Sequence, residues 1–235
     1  MSPPGNRAKI ESEGVSMKKT ILLILLVSTL AACHHGLNQV AGSGNRQKQK
    51  REIASFTSIS TNGAFHIEVV AQKALALEIE ADDNILPLIK MEVSDNVLHI
   101  KSGQNFSVRE PVIIRIAVPT LEGITSNGAG KIEVAGLNNE KFEIGLNGAT
   151  AIRVSGETKL VEIDTNGAGN IDTSKLRAAR AVVESKGVSK VEVHAADQLD
   201  VNVSGPSNVV YSGDPVVNKT VNGPGSVQKK ASSIS

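Results

Sequence analysis

From Glu52 onward, hydrophobic and polar residues alternate along the chain with a period of two. Segments of this kind read FHIEVV, LALEIEA, NVLHIKS and VIIRIAV. Such alternation is typical of a half-buried β-strand, because successive side chains of a strand point to opposite faces. No long stretch of the sequence shows the three- and four-residue spacing of an amphipathic helix. The pattern therefore predicts an all-β chain.

The second half of the chain repeats a short motif, which reads SNGAGKIEV, LNGATAIRV and TNGAGNIDT in successive copies. The first glycine of each motif serves as its reference position. These reference glycines recur at intervals of 20, 19, 20, 18 and 18 residues and are Gly128, Gly148, Gly167, Gly187, Gly205 and Gly223. An isolated upstream copy, TNGAFHIEV, surrounds Gly63. A period near 19 residues that persists over six copies indicates a repeat architecture.

Two positions after the reference glycine distinguish an inner from an outer face. The fourth residue is always a β-branched aliphatic residue: Ile132, Ile152, Ile171, Val191, Val209 and Val227. The fifth residue is mostly polar. Adjacent side chains of a strand alternate between faces, so the fourth position is predicted to point inward and the fifth outward. The outward residues Glu133, Arg153, Asp172 and Glu192 form the candidate contact face.

Two architectures are compatible with this repeat. In a parallel β-solenoid each repeat forms one coil, and equivalent residues stack about 4.8 Å apart. In an antiparallel meander the Asn-Gly dipeptide forms a hairpin turn, and equivalent residues lie two strands apart. Asparagine recurs before the reference glycine. Asparagines at one register can form a hydrogen-bonded ladder only when coils stack directly, and this point favours the solenoid.

The repeated Asn-Gly dipeptide is also suited to a sharp corner of the chain. Glycine adopts left-handed backbone freely and asparagine tolerates it. The predicted corner residues are Asn62, Gly63, Asn127, Gly128, Asn147, Gly148, Asn166, Gly167, Gly187, Gly205, Asn222 and Gly223. This interpretation makes the repeated motif a structural device and not a phosphate-binding loop, because a strand and not a helix follows it.

The N-terminal part of the sequence has the organisation of an export signal. A basic start at Met17 precedes an apolar run and the sequence LAAC, which ends at Cys33. The apolar run is too short for a transmembrane helix, which needs about 20 apolar residues. The ending resembles the lipobox of bacterial lipoproteins, which implies cleavage before Cys33 and lipid attached to that residue. An ordinary signal peptide with a chance cysteine is the alternative.

The sequence divides into five expected segments. Residues 1–16 are an over-long start or an extended n-region, and residues 17–32 are the lipoprotein signal peptide. Residues 33–51 comprise the lipidated Cys33 and a flexible basic tether. Residues 52–225 form the solenoid domain, and residues 226–235 form a polar C-terminal tail. Because His34, and not an aspartate, follows Cys33, we expect the protein to be anchored in the outer membrane. The domain then faces either the periplasm or the cell exterior.

Two blocks of the sequence resemble a known family. They are DDNILPLIKMEVSDNVLHI, from Asp82 to Ile100, and VPTLEGITSNGAGKIEV, from Val118 to Val134. Together with the repeats, they resemble the putative auto-transporter adhesin, head GIN domain family, over roughly residues 52–225. The resemblance implies a right-handed parallel β-helix with coils of about 19 residues, preceded by a further strand region, in an exported and often lipid-anchored protein. It supplies no catalytic motif, and the family name supports a binding role.

Composition and spacing narrow the classes of function. The formal net charge of +1 gives no overall field that favours nucleic acid or a membrane. Aromatic residues make up 2% of the chain, which is low for a platform that stacks sugars or bases. His66, His99 and His194 are far apart in sequence, so no metal site is expected, and no cofactor motif is present. The mixed charges of the contact face form no stacked acid pair for glycoside hydrolysis.

The sequence therefore predicts a non-catalytic lipoprotein of the bacterial cell envelope. We expect a binding or adhesion-type module that acts through the faces of the solenoid. Its expected partners are the membrane, through the lipid anchor, and an envelope protein, a polysaccharide or an external surface; self-association is left open. A structural lipoprotein without a ligand is the alternative. A polysaccharide-active β-helix enzyme is a third, less favoured reading.

Overall fold

Strands make up nearly all the regular structure of the described residues, as the alternating pattern predicts. The structure is a computed structural model, and it describes residues 39–231. One 3-10 helix, Leu86–Leu88, is present in this range. The strands are β1 Val40–Ala41, β2 Arg46–Lys50, β3 Ser58–Asn62, β4 Ala64–Ala71, β5 Ala76–Asp82, β6 Ile89–Ser94, β7 Val97–Ser102, β8 Phe106–Ser107, β9 Val112–Val118, β10 Gly123–Ser126, β11 Ala129–Leu146, β12 Ala149–Thr165, β13 Asn170–Ser185, β14 Lys190–Val203, β15 Asn208–Ser212, β16 Val216–Val221 and β17 Ser226–Lys229.

Fifteen of these strands belong to one large sheet, which consists of two ladders. The first ladder runs in the order β2, β5, β9, β4, β11, β12, β13, β14, β15 and β17. The second runs in the order β6, β7, β3, β10, β11, β12, β13, β14 and β16. The long strands β11 to β14 contribute their first parts to one ladder and their second parts to the other. The inward side chains of both ladders form one hydrophobic cluster.

Neighbouring repeats pair in parallel, so the antiparallel meander is wrong for this chain. Ile132 pairs with Ile152, and Ile152 pairs with Ile171. The same row continues through Val191 to Val209. All five side chains are at most 2% exposed. The repeat spacing read from the sequence is therefore the register of the sheet, and the all-β, parallel-rich fold is confirmed.

The upstream strands close the N-terminal end of both ladders by antiparallel pairing. Strand β5 pairs antiparallel with β9, and β6 pairs antiparallel with β7. Strand β2 then adds to β5, where Lys48 lies opposite Glu80 and Lys50 lies opposite Glu78. Residues 33–51 were expected to form a flexible tether. Segment 46–50 is instead a strand. Its alternating basic residues face an acidic strand, which supplies the charge complementarity for pairing.

The C-terminal boundary of the repeat also differs from the expectation. Strand β17 pairs in parallel with β15, with Val227 beside Val209. Residues 226–229, which were expected to belong to a polar tail, therefore complete one more strand of the first ladder. Their polar composition concealed this, because a terminal strand has a neighbour on only one side and buries little of its surface.

The corners at the Asn-Gly dipeptides are built by direct stacking of backbone on backbone. The side-chain amide of Asn147 donates to Asn127 Oδ1 at 2.9 Å, and that of Asn166 donates to Asn147 Oδ1 at 3.3 Å. A Cβ atom at Gly148 would lie closer than 3.0 Å to the carbonyl oxygen of Gly128. Gly148 has no left-handed φ, so glycine is needed there for close approach and not for backbone conformation.

Candidate functional site

The four residues of the candidate contact face lie in one row across adjacent strands. Glu133 on β11 pairs with Arg153 on β12. Arg153 pairs with Asp172 on β13, and Asp172 pairs with Glu192 on β14. The row thus contains a stacked acid pair, contrary to the expectation from the sequence. Each follows a buried aliphatic residue, so its side chain lies on the outer side of the first ladder. The structure therefore brings these four residues together, at the spacing of neighbouring strands.

The row extends further than the sequence analysis predicted. Glu68 on β4 pairs with Glu133, and Arg115 on β9 pairs with Glu68. Glu78 on β5 then pairs with Arg115. Glu68 is the fifth residue after Gly63, so the upstream repeat could have identified it. Arg115 and Glu78 follow no Asn-Gly motif, and only the pairing of β9 and β5 places them in the row.

Arg115 is the centre of the N-terminal part of this row. Its Nη1 lies 2.8 Å from Glu80 Oε2 and 3.5 Å from Glu78 Oε1. Its Nε lies 3.2 Å from Glu68 Oε2. The hydrogen bond from Arg115 is the main reason why the pKa of Glu80 is lowered, and the same bond raises the pKa of Arg115. One guanidinium thus contacts three carboxylates.

Glu133 is the centre of the middle part of the row. Lys131 Nζ lies 2.8 Å from Glu133 Oε1, and Arg153 Nη1 lies 3.5 Å from the same oxygen. His66 Nε2 approaches Glu133 Oε2 at 3.4 Å. The hydrogen bond from Lys131, followed by that from His66, lowers the pKa of Glu133 against the opposing effect of burial. The two adjacent carboxylates of Glu68 and Glu133 are therefore each matched by a basic neighbour.

In the C-terminal part of the row, Asp172 and Glu192 each have their own hydrogen-bond or ion-pair partners. Burial opposes ionisation of Asp172, but hydrogen bonds from the Ser174 hydroxyl at 2.6 Å and backbone N–H at 3.1 Å leave its pKa lowered. Glu192 Oε1 contacts Lys190 Nζ at 2.6 Å, and Glu192 Oε2 contacts Lys230 Nζ at 3.4 Å. The hydrogen bond from Lys190 is the main cause of the lowered pKa of Glu192.

A shallow groove runs over this row. One depression of about 760 Å³ is lined by Glu68, Arg115 and the apolar side chains around them, and a second of about 680 Å³ is lined by Glu68, Glu133, Arg153 and Asp172. Glu68 and Val70 line both depressions, which makes them one continuous groove. Val70 points outward and is 43% exposed, so the groove has an apolar floor beside its charges. We refer to these two depressions together as the contact groove.

The chemistry of the groove suits charge-charge contact better than proton transfer. A general acid at neutral pH needs a carboxyl group with a raised pKa. The pKa values of Glu133, Asp172 and Glu192 in the row, and of Glu80, which contacts Arg115, are all lowered. Within residues 39–231, no group of three or more potential metal ligands converges. A binding surface is the function that these ionised side chains support.

Cys33 lies outside the described residues. In the described range 39–231, no helix is long and apolar enough to cross a membrane. Among the corner residues, Asn127, Asn147 and Asn166 bond to one another through their side-chain amides, and none of the corner residues lines the contact groove. They therefore act in the architecture and add no side chain to the contact groove.

Comparisons with known proteins address the fold and the family. The family described as "putative auto-transporter adhesin, head GIN domain" matches residues 55–215. A crystal structure of a "putative adhesin" from Bacteroides fragilis is 23% identical, with a TM-score of 0.65, over 81% of this chain and 100% of that one. A "putative adhesin" from Parabacteroides distasonis is 23% identical, with a TM-score of 0.54, over 82% and 100%. These two likenesses show a shared fold. No curated protein matches the chain.

Proposed function

Since this chain belongs to the putative auto-transporter adhesin, head GIN domain family, we propose that it is a non-catalytic binding module of the bacterial cell envelope. Its contact surface is the row from Glu78 to Glu192, with the contact groove over the part from Glu78 to Asp172. The observation that carries this proposal is the continuity of that row, in which residues from seven different strands meet side by side. The family name supports a binding or adhesion-type role of this kind.

The shape of the row favours an extended partner. From Arg115 on β9 to Glu192 on β14 there are five strand spacings, which amount to about 24 Å. Two acidic residues follow each arginine along this length, so a partner needs charges or hydroxyl groups spaced along a chain. Envelope proteins and polysaccharides both meet this condition. Because exposed ion pairs contribute little each, one contact is weak, and many copies on one membrane supply the avidity.

We further infer that the domain is a right-handed parallel β-helix with coils of about 19 residues. The support is the register between neighbouring repeats, in which Ile132 pairs with Ile152 and Ile152 pairs with Ile171. Long strands that turn from one ladder into the other give each repeat two sides around the shared core. Such solenoids present long regular faces to extended partners.

A lipid anchor at Cys33 and an outer-membrane location complete the proposal. They rest on the basic start, the apolar run and the LAAC sequence, and on His34 after the cysteine. Replacing Cys33 with serine should release the protein from the membrane fraction and abolish incorporation of labelled fatty acid. Retention of both properties by the Cys33→Ser variant would exclude the anchor.

The binding proposal is tested with the domain displayed on beads at high density. The beads are presented to purified peptidoglycan, lipopolysaccharide, outer-membrane vesicles and mucin. The test variant exchanges the charges of one pair, Glu133→Arg with Arg153→Glu. The control exchanges a pair on the outer side of the second ladder, Glu162→Lys with Lys141→Glu, whose charged atoms lie 2.9 Å apart. Both variants keep one ion pair and the net charge, but only the first alters the contact groove.

We expect beads that carry the wild-type domain or the control variant to bind at least one of these surfaces. Beads that carry the test variant should not bind that surface. Equal loss by both variants would contradict a role for the contact groove. Absence of binding to every surface would favour the structural lipoprotein. Conversion of a polysaccharide into shorter products, abolished by one carboxylate substitution, would place the protein among enzymes.

A further inference from the structure

The chain is fixed to the body of the domain soon after Cys33. Strand β1 pairs with β8, with Val40 beside Phe106. The backbone N–H of Val40 donates to Asn105 O at 2.9 Å, and that of Gly42 donates to Ser107 O at 2.8 Å. The side-chain amide of Gln39 adds a bond to Phe106 O at 2.9 Å. The described chain is therefore attached from its first residue.

A polar cluster fastens the next few residues. The Asp83 carboxylate accepts hydrogen bonds from the Ser43 hydroxyl at 2.6 Å and from the Asn45 amide at 2.9 Å. Asp82 is 4% exposed and accepts the backbone N–H of Gly44 at 3.0 Å. The Asn84 side chain donates to Ala41 O at 2.8 Å. With β2 following at once, residues 39–50 form a continuous attachment to the domain.

This attachment limits how far the domain can lie from a lipid on Cys33. Six residue steps separate Cys33 from Gln39. A fully extended chain advances at most about 3.6 Å per residue, so the two Cα atoms are no more than about 22 Å apart in any conformation. Had the tether continued to Arg51, eighteen steps would have allowed about 65 Å. The docking of β1 and β2 removes two thirds of that reach.

The surface around β1 has the features of a membrane-facing surface. We define the anchor side as residues 39–42 together with residues 103–111. A depression of about 530 Å³ on this side is lined in part by Phe106, Val108 and Pro111, with Lys131 at its rim. Arg109 is exposed, whereas the nearby Glu110 carboxylate is 3.5 Å from Arg46 Nε. Apolar groups beside the exposed Arg109 suit an interface that carries anionic lipid.

We propose that the anchor side is held against the bilayer, with the β16 end of the domain pointing away. This inference rests on the proposed lipid at Cys33 and adds an orientation to it. The contact groove and the anchor-side depression share no lining residue. In this orientation, many copies on one membrane present the groove in the same direction.

The orientation is tested by energy transfer from a fluorophore on the full-length lipidated protein to acceptor head groups in vesicles of phosphatidylethanolamine and phosphatidylglycerol. The fluorophore is attached at Ser107→Cys in one sample and at Asn218→Cys in the other; both positions are exposed. Asn218 lies on β16, seven strand spacings along the second ladder from β7, or about 34 Å. A third sample carries Ser107→Cys and twelve Gly/Ser residues inserted between Asn38 and Gln39.

We expect transfer from position 107 to be severalfold stronger than from position 218, and the insertion to reduce it. Equal transfer from both positions, or no effect of the insertion, in protein whose mass shows the lipid would overturn the orientation and leave the lipid proposal standing. A mass without lipid would overturn both. The Cys33→Ser background, which should show no transfer, identifies any binding that does not depend on the anchor.

Discussion

The hydroxyl oxygens of Thr165 and Ser189 lie 2.6 Å apart inside the core, across the corner between two repeats. Thr165 stands two residues before one reference glycine, and Ser189 stands two residues after the next. Ser126 with Thr150 and Ser185 with Ser207 repeat this relationship at 2.6 and 2.7 Å. Each pair satisfies buried polar atoms that water does not reach, and so the core tolerates them.

At other corners a large apolar residue and a glycine occupy the same two positions. A Cβ atom at Gly169 would lie 2.7 Å from Leu146 Cδ2, and the large residue therefore faces a glycine. At the first corner Thr61 and Gly130 occupy the two positions, and the Thr61 hydroxyl is buried with no hydrogen-bond partner among the described residues. The two positions thus match in polarity or in volume everywhere except at Thr61.

This difference predicts opposite effects for the same substitution. Thr165→Val should lower the free energy of unfolding by about 1–2 kcal/mol, because it breaks a buried hydrogen bond. Thr61→Val should leave it unchanged or raise it by up to about 1 kcal/mol, because it replaces an unpaired buried hydroxyl with a methyl group. Urea denaturation of the two variants measures both values. Equal losses would show that the Thr61 hydroxyl has a partner.

The inner and outer faces are tested by adjacent residues of β12. Ile152 is fully buried between Ile132 and Ile171, so Ile152→Asp should cost several kcal/mol. The Arg153 side chain is 56% exposed, and Arg153→Ala should cost no more than about 1 kcal/mol. Thermal unfolding followed by circular dichroism compares them. Identical melting temperatures would contradict this assignment of faces.

The ion pairs of the contact groove predict a dependence on pH. Lys131 lowers the pKa of Glu133, so the contribution of this carboxylate to stability is present above its unfolded pKa. It is lost as the pH falls through the lower pKa of the folded state. Lys131→Ala should raise the Glu133 pKa towards its ordinary value, as measured by NMR titration of the side-chain carboxyl carbon. An unshifted titration would mean that Lys131 is not the main partner.

The last strands of the two ladders carry inward lysines. Lys219 on β16 pairs with Val201, and Lys229 on β17 pairs with Tyr211. Inward charges on an edge strand oppose pairing with a second molecule. We expect Lys219→Val with Lys229→Val to produce concentration-dependent association, as measured by light scattering after size exclusion. Asn218→Val with Gln228→Val adds the same side chains on the outer side and should remain unassociated; association of both variants would implicate general hydrophobicity.

The sequence by itself determined the strand character, the inward row through Ile152 and the outward row through Arg153. These properties are local, because alternation sets the face of each side chain and the repeat interval sets which residues become neighbours. The family and the parallel register follow from the same spacing. The sequence also predicted that the Asn-Gly dipeptides form corners. At Gly148, however, glycine is needed because the backbone of the neighbouring repeat lies so close, and not because of a left-handed backbone.

Only the tertiary structure decided which elements without the repeat join the sheet. Arg115 reaches Glu68 because β9 pairs with β4, and Lys48 faces Glu80 because β2 returns antiparallel to β5. No period in the sequence encodes these pairings, which join segments through packing on a shared core. The bond between Thr165 and Ser189 has the same origin, since a corner brings together two positions whose separation differs from the repeat. The extent of the contact groove and the short reach from Cys33 therefore depended on contacts between distant segments.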